Sequence, residues 1–225
     1  MSPLALAAGA AFALLGAGAE RLASVWPPDE ASRRPLGVRT LLLALLSGAA
    51  AWALVSRSAL PWWATLAYLA MLGLMVLLSA TDLEQRRLPH LLLDPLIASA
   101  VVFVPFNPAV RPLDAVIGAA VAVGFIGLVG LVIRSGVAQG DLYLVAPLGL
   151  LLGWEGVLPA IFVAALLSAT FGLVLLATRR AGLKSYIPFG PFLVAGTVVT
   201  LVRDDRILGA AAAEVDRWAR VIAGG

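Results

Sequence analysis

An all-α, polytopic integral membrane bundle of about eight transmembrane helices is the fold class that three features of the 225-residue sequence predict. Hydrophobic residues make up 61% of the chain and charged residues 13%, against roughly 45–50% and about 25% in ordinary soluble proteins. Mean hydropathy is +0.99. Apolar runs near the length of about 20 residues that crosses a bilayer core recur eight times between charged or proline-bearing stretches. These features exclude a soluble globular enzyme and leave little chain for a domain outside the membrane, so residues 1–225 read as a single transmembrane domain. With no cysteine and one histidine, disulfides, thiol nucleophiles, cysteine zinc sites and two-histidine metal sites are excluded, and no metal is expected. The net charge of +3 and pI near 9.9 fit basic loops at a membrane surface, not a nucleic-acid partner.

The first run, 3–22, lacks the basic start of a signal peptide and reads as a retained span. A polar stretch over about 24–38, with Pro27, Pro28 and Pro35, is a loop. Runs 39–56 and 61–80 follow; 91–106 is short and interrupted by Asp94-Pro95. The run 114–133 carries Gly118, Gly124, Gly127 and Gly130, small residues that let helices pack closely. The last three runs are 142–158, 160–177 and 187–202, the first and third of them short. Ile207 to Ile222 mixes apolar positions with Glu214, Asp216, Arg217 and Arg220, as in a helix lying on a surface. No internal repeat is visible.

Basic residues divide unequally between the two sets of alternate loops. Ten fall on one side: Arg21, Arg33, Arg34, Arg39, Arg86, Arg87, Arg134, Arg179, Arg180 and Lys184. Six fall on the other: Arg57, Arg111, Arg203, Arg206, Arg217 and Arg220. The richer side is expected to be cytoplasmic, with both termini outside. Trp26, Trp62, Trp63 and Trp154 lie near the expected interfaces, where tryptophan is favoured.

Ionisable groups beside membrane helices are costly and therefore informative. Most of the thirteen carboxylates sit in loops, at span ends or in the tail, among them Asp29, Glu30, Asp114, Glu155, Asp204 and Asp205. Asp94, beside Pro95, reads as a polar contact near a kink. Asp82 and Asp141 stand apart. Asp82 follows the third run, Asp141 opens the sixth, and the two intervening spans return the chain to the same face. Two carboxylates in a poorly solvated cleft do not readily ionise together, so such a pair holds a single proton. An aspartic protease uses this arrangement, one carboxylate as base on water and the other as acid to the peptide carbonyl. The alternatives are helix capping by Asp141 and a surface ion pair of Asp82 with Arg86 or Arg87. Gly140, before Asp141, suits a tight turn or a close approach.

At these residues the chain resembles the prepilin peptidases, the type IV leader peptidases of the GxGD class of intramembrane aspartyl proteases. Three segments carry the resemblance: Asp82-Leu83-Glu84-Gln85-Arg86-Arg87-Leu88-Pro89; Gln139-Gly140-Asp141-Leu142-Tyr143-Leu144, continuing to Leu148-Gly149 and Leu152-Gly153-Trp154; and Ile187-Pro188-Phe189-Gly190-Pro191-Phe192-Leu193. It is strongest over about 61–202. It implies that Asp82 and Asp141 are the catalytic pair, that Gly140 delivers Asp141, and that Pro188, Gly190 and Pro191 shape the site as a broken segment or an entry turn. It also implies cleavage of the leader from type IV prepilin or pseudopilin precursors in the bacterial inner membrane, with the site facing the cytoplasm and lipid as a further partner.

The sequence departs from the family at several positions. Ala138 stands at the first glycine of GxGD, Tyr143 at a usual lysine, His90 at a usual Asp or Asn, and Glu20 at a usual asparagine of the first span. The paired Cys-x-x-Cys loop that accompanies N-methylation with S-adenosylmethionine has no counterpart in this cysteine-free chain. Hydrolysis needs no cofactor; the resemblance leaves S-adenosylmethionine and methylation open, and the missing cysteines count against them. His90 is either a loop residue or an electrostatic neighbour of the pair. Arg86, Arg87 and Lys184 are topology anchors or contacts for acidic groups. The rival readings are a catalytically silent pilus or secretion assembly protein and a proton-coupled transporter with an Asp82, Asp94, Asp141 relay.

Overall fold

A computed structural model describes residues 2–26, 32, 35–132, 139–179, 182 and 187–203. Among the described residues the chain forms seven α-helices: α1 Pro3–Val25, α2 Val38–Arg57, α3 Trp62–Gln85, α4 His90–Phe103, α5 Pro112–Val132, α6 Gln139–Ala177 and α7 Gly190–Arg203. A 3-10 turn, Val104–Phe106, continues α4. Five of these helices are long and apolar enough to cross a membrane, and α4 and α7 are shorter apolar ones. The protein is a multi-pass helical membrane bundle. The expected surface helix over 207–222 lies outside the described residues, as do Ala138, Arg134 and Lys184.

The helix ends follow from local chemistry. Ser2 caps α1 by accepting the Ala5 N–H at 3.1 Å, and Pro3 occupies the first turn, where no N–H is needed. At the start of α2 the Gly37 N–H donates to Thr40 Oγ1 at 3.3 Å. α3 ends at Gln85, with Arg86 as a left-handed cap at φ 55°. It therefore runs five residues past the apolar run 61–80. Thr81 to Gln85 carry one apolar residue, Leu83, so the apolar signal fades before the helix ends; Leu83, Glu84 and Gln85 are good helix formers, and Asp82 lies inside the helix, not after it.

Eight spans become seven helices because the sixth and seventh share α6, which breaks at Gly153 with φ 68° and ψ 177°. Glycine alone adopts that backbone readily. Before the break, Gly127 faces Leu142 and Gly118 lies against Gly149, so this half runs antiparallel to α5. After it, Gly196 of α7 lies against Ala160, and Gly172 against Ile187, so the second half runs antiparallel to α7. The reversal expected at Pro159, between the runs 142–158 and 160–177, is thus displaced to Gly153; Pro159, like Pro147, sits within helix. A prolyl residue in a membrane helix is tolerated where neighbours cover the freed carbonyl.

α3 is the most enclosed of the long helices. Its Tyr68, Met71, Met75 and Leu78 meet Leu93 and Leu96 of α4, Leu144, Leu148, Leu151 and Leu152 of α6, and Leu193 of α7 in one apolar core. Apolar side chains gain little by leaving lipid for protein, so close backbone approach holds such a bundle together. At the α5–α6 crossing a Cβ on Gly118 would lie 2.5 Å from the Gly149 carbonyl oxygen, and one on Gly149 2.6 Å from the Ala119 backbone. Of the glycines in this span, Gly124 meets nothing within 4 Å and Gly127 only a leucine methyl at 3.9 Å, so Gly118 carries the crossing.

Candidate active site

Three helix ends converge: the last turn of α3 with Asp82, the first turn of α6 with Asp141, and the first residues of α7. Both carboxylates are buried, Asp82 at 3% exposure and Asp141 at 4%. They are close enough for the Asp141 charge to act on Asp82. The structure therefore brings together the two residues that the sequence places 59 positions apart. Helix position overturns two of the plainer expectations. Asp82 is a residue of α3, not a surface charge, and Asp141 is helical in the first turn of α6, beyond the capping position.

α7 explains how Asp82 is held. Its first residue, Gly190, donates its backbone N–H to Asp82 Oδ2 at 3.0 Å. The first N–H groups of a helix have no intrahelical acceptor, so this bond satisfies the helix and the carboxylate together. Pro191 follows in the first turn, where its missing N–H costs nothing. Pro188 and Phe189 lead in as irregular chain, and the Phe189 carbonyl accepts from Phe192 and Leu193. The segment enters α7 as irregular chain, and Gly190 is the residue of it seen to contact Asp82. A Cβ at Gly190 would lie 2.7 Å from Asp82 Oδ2, so a side chain there displaces the carboxylate.

Gly140 has no tight-turn conformation. It lies within α6, and Gly153 is the glycine with positive φ among the described residues. Its role is close approach: a Cβ would come within 3.1 Å of the Leu88 side chain. Leu88 also borders Gly190, at 3.5 Å from the position of its Cβ. Half-buried Leu88 thus packs between the starts of α6 and α7 beside the pair, a role that a leucine in an apolar sequence does not advertise.

The unusual His90 and Tyr143 face each other. Their rings meet edge-on with centroids 5.3 Å apart, and His90 Nδ1 lies 3.2 Å from Asp94 Oδ1. His90 opens α4 and is not a loop residue. Asp94 is exposed on this contact and is not buried with Asp82 and Asp141. Glu20 is buried in α1 and accepts from Thr40 Oγ1 at 2.9 Å. Asp114, expected as a solvated charge, pairs with Arg111 at 2.9 Å. Among the described residues no three His, Asp or Glu side chains are grouped to hold a metal ion.

A model of the type IV leader peptidase family matches residues 69–173, a stretch containing both aspartates, Leu88, Gly140 and the break at Gly153. The chain is related to the type IV leader peptidases. Prepilin leader peptidase/N-methyltransferase of Burkholderia pseudomallei is 33% identical over 174 residues, covering 75% of this chain and 56% of that protein. The protein of the same name from Aeromonas salmonicida is 34% identical, covering 74% and 57%. That from Bacillus subtilis is 28% identical over 144 residues, covering 61% and 55%. The chain thus spans little more than half the length of these curated relatives. No solved structure matches it.

Proposed function

We propose that this protein is a membrane-embedded aspartic endopeptidase that removes the leader from type IV prepilin or pseudopilin precursors at the cytoplasmic boundary of the bacterial inner membrane. The observation that carries this reading is the buried Asp82–Asp141 pair at converging helix ends, inside the segment shared with the leader peptidases. One carboxylate takes a proton from water as its oxygen attacks the scissile carbonyl carbon; the other donates a proton to the carbonyl oxygen. When the tetrahedral intermediate collapses, the C–N bond breaks and the leaving nitrogen takes a proton from the pair. The pair titrates as a unit, and the roles exchange through the cycle.

Arg21, Arg39, Arg86, Arg87 and Arg179 lie at the pair's end of the bundle and Arg57, Arg111 and Arg203 at the opposite end, which supports a cytoplasmic site. The precursor's apolar helix would then dock laterally among the spans. Methyl transfer, the second activity in the relatives' names, is not part of this reading: the chain has no cysteine for the loop associated with it. Co-expression with a prepilin-type precursor, read by mass spectrometry of the precursor's amino terminus, tests the assignment. Wild type is expected to yield a shortened chain, and Asp82→Ala and Asp141→Ala the intact precursor. A methylated product would restore the second activity, and an uncleaved precursor with the wild type would favour a silent assembly protein.

A further inference from the structure

Gln85 closes α3, three residues beyond Asp82, and its side chain does not face the pair. It reaches back to the end of α1. The Nε2 amide donates to the Ala23 carbonyl at 2.8 Å and to the Trp26 carbonyl. These acceptors belong to the last turn and cap of α1, where carbonyls have no intrahelical donor. One residue earlier, Glu84 accepts from Arg39 Nη1 at 3.3 Å, and this contact ties the start of α2 to the same turn of α3. Thr40, beside Arg39, links α2 to α1 by donating to buried Glu20. The ends of α1 and α2 are thereby fastened, through polar groups, to the one turn of α3 that bears Asp82. Below this turn the seam is apolar: Ala19 and Ala23 of α1 and Ala51 of α2 meet Leu72, Val76 and Ala80, with Phe12, Leu43, Leu69 and Leu77 packed against them, a contact for which lipid competes.

We infer that Gln85 is a positioning residue, and that through it the α1–α2 hairpin, which lies outside the matched segment 69–173, fixes the placement of Asp82 against Asp141. This rests on the catalytic reading of the pair. A helix end in a bilayer gains little from apolar contact, because lipid competes for the same surface, and is free to shift by up to about 1 Å unless polar groups pin it. Gln85 supplies two donors to two carbonyls at the required point. Losing them leaves the carboxylates present and the fold intact, and degrades their alignment.

The test uses the full chain in lipid nanodiscs with a purified prepilin-type precursor. Gln85→Met keeps the side chain's length and removes both donors; Gln85→Lys restores donors toward the same carbonyls, a favourable partner for a helix C-terminus. Gln85→Met is expected to lower kcat about ten- to a hundred-fold, the scale of a misplacement of about 1 Å, with KM little changed. Gln85→Lys is expected to recover most of that loss. In parallel, spin labels on Leu22→Cys and Arg87→Cys, unique thiols in a chain without cysteine, report the distance between α1 and the end of α3. It should be narrowly distributed in wild type and Gln85→Lys and broadened in Gln85→Met. Unchanged kcat in Gln85→Met overturns the inference whatever the distribution does, as does Gln85→Lys losing as much activity as Gln85→Met. A wild type that cleaves no precursor while Gln85→Met broadens the distribution overturns the peptidase reading instead and leaves the clamp standing.

Discussion

The α1–α2 hairpin and the α3–α7 body lie in the same apolar solvent and are held together by different means. Within the hairpin, small and hydroxyl residues bring backbones into contact: Gly48 faces Gly9 and Ala13, Gly16 faces Ser47, and Ser47 Oγ donates to the Phe12 carbonyl at 2.7 Å. The body packs large side chains around α3 and crosses α5 with α6 at Gly118 and Gly149. Between the two regions lies an alanine-rich seam, fastened at one end by Gln85 and by Arg39–Glu84. The body contains both aspartates, and the hairpin holds the helix end that presents one of them. Conserving a hydrophobic surface would not preserve this arrangement, because lipid competes equally for it. Close backbone approach and a few polar bonds specify it.

The largest effect on the body should come from Gly190→Ala. Its Cβ falls 2.7 Å from Asp82 Oδ2, so the carboxylate must move, and a misplacement of this kind lowers kcat by about a hundred-fold. Substrate binding and thermal unfolding should change little, since the groups nearest the new Cβ are the Asp82 carboxylate and the Leu88 side chain and not backbone. Turnover near that of wild type would show that the Gly190 bond does not place Asp82.

Next, Gly118→Val and Ser47→Ala set the two regions against each other. A valine at Gly118 would meet the Gly149 and Gly153 backbone of α6 and should destabilise the bundle by about 1–3 kcal/mol or more, with activity falling in parallel. Removing the Ser47 hydroxyl breaks the bond to Phe12 and should cost only about 0.6 kcal/mol, the average for a polar contact within a membrane bundle. Denaturation in mixed micelles checks both. A hairpin variant more damaging than the crossing variant would reverse the ranking of the two regions.

The smallest change is expected at Gly140→Ala. The obstructing group is the side chain of Leu88 at 3.1 Å, not backbone, and it must give by a few tenths of an ångström. A few-fold loss of kcat is expected, and Leu88→Ala in the same chain should relieve it; such coupling is measured by a double-mutant cycle. Additive losses would separate Gly140 from Leu88.

Much of this was legible in the sequence because lipid makes the rules severe. Long apolar runs announce helices, and a carboxylate beside one is conspicuous, so Asp82 and Asp141 emerged on composition and topology and the motifs joined them. The helix boundaries were less legible where the signal was apolarity alone. α3 continued through Thr81 to Gln85 because a mostly polar turn remains helical at a membrane edge, and the reversal fell at Gly153 because positive φ, not proline, turned the chain. Leu88 and Gln85 were hidden for another reason. Their parts depend on what lies opposite them, Gly140 and Gly190 for the one and the end of α1 for the other, and those pairings span 52 to 102 residues of chain.

The central claim is that Asp82 and Asp141 act as one hydrolytic unit, and single-turnover cleavage of a purified prepilin-type precursor by Asp82→Asn, Asp141→Asn and the double variant tests it most directly. Each single variant should lose about 10⁴-fold or more in rate, and the double variant should be scarcely slower than either, as for residues that work only together. Cleavage at an appreciable fraction of the wild-type rate by either single variant would contradict the account.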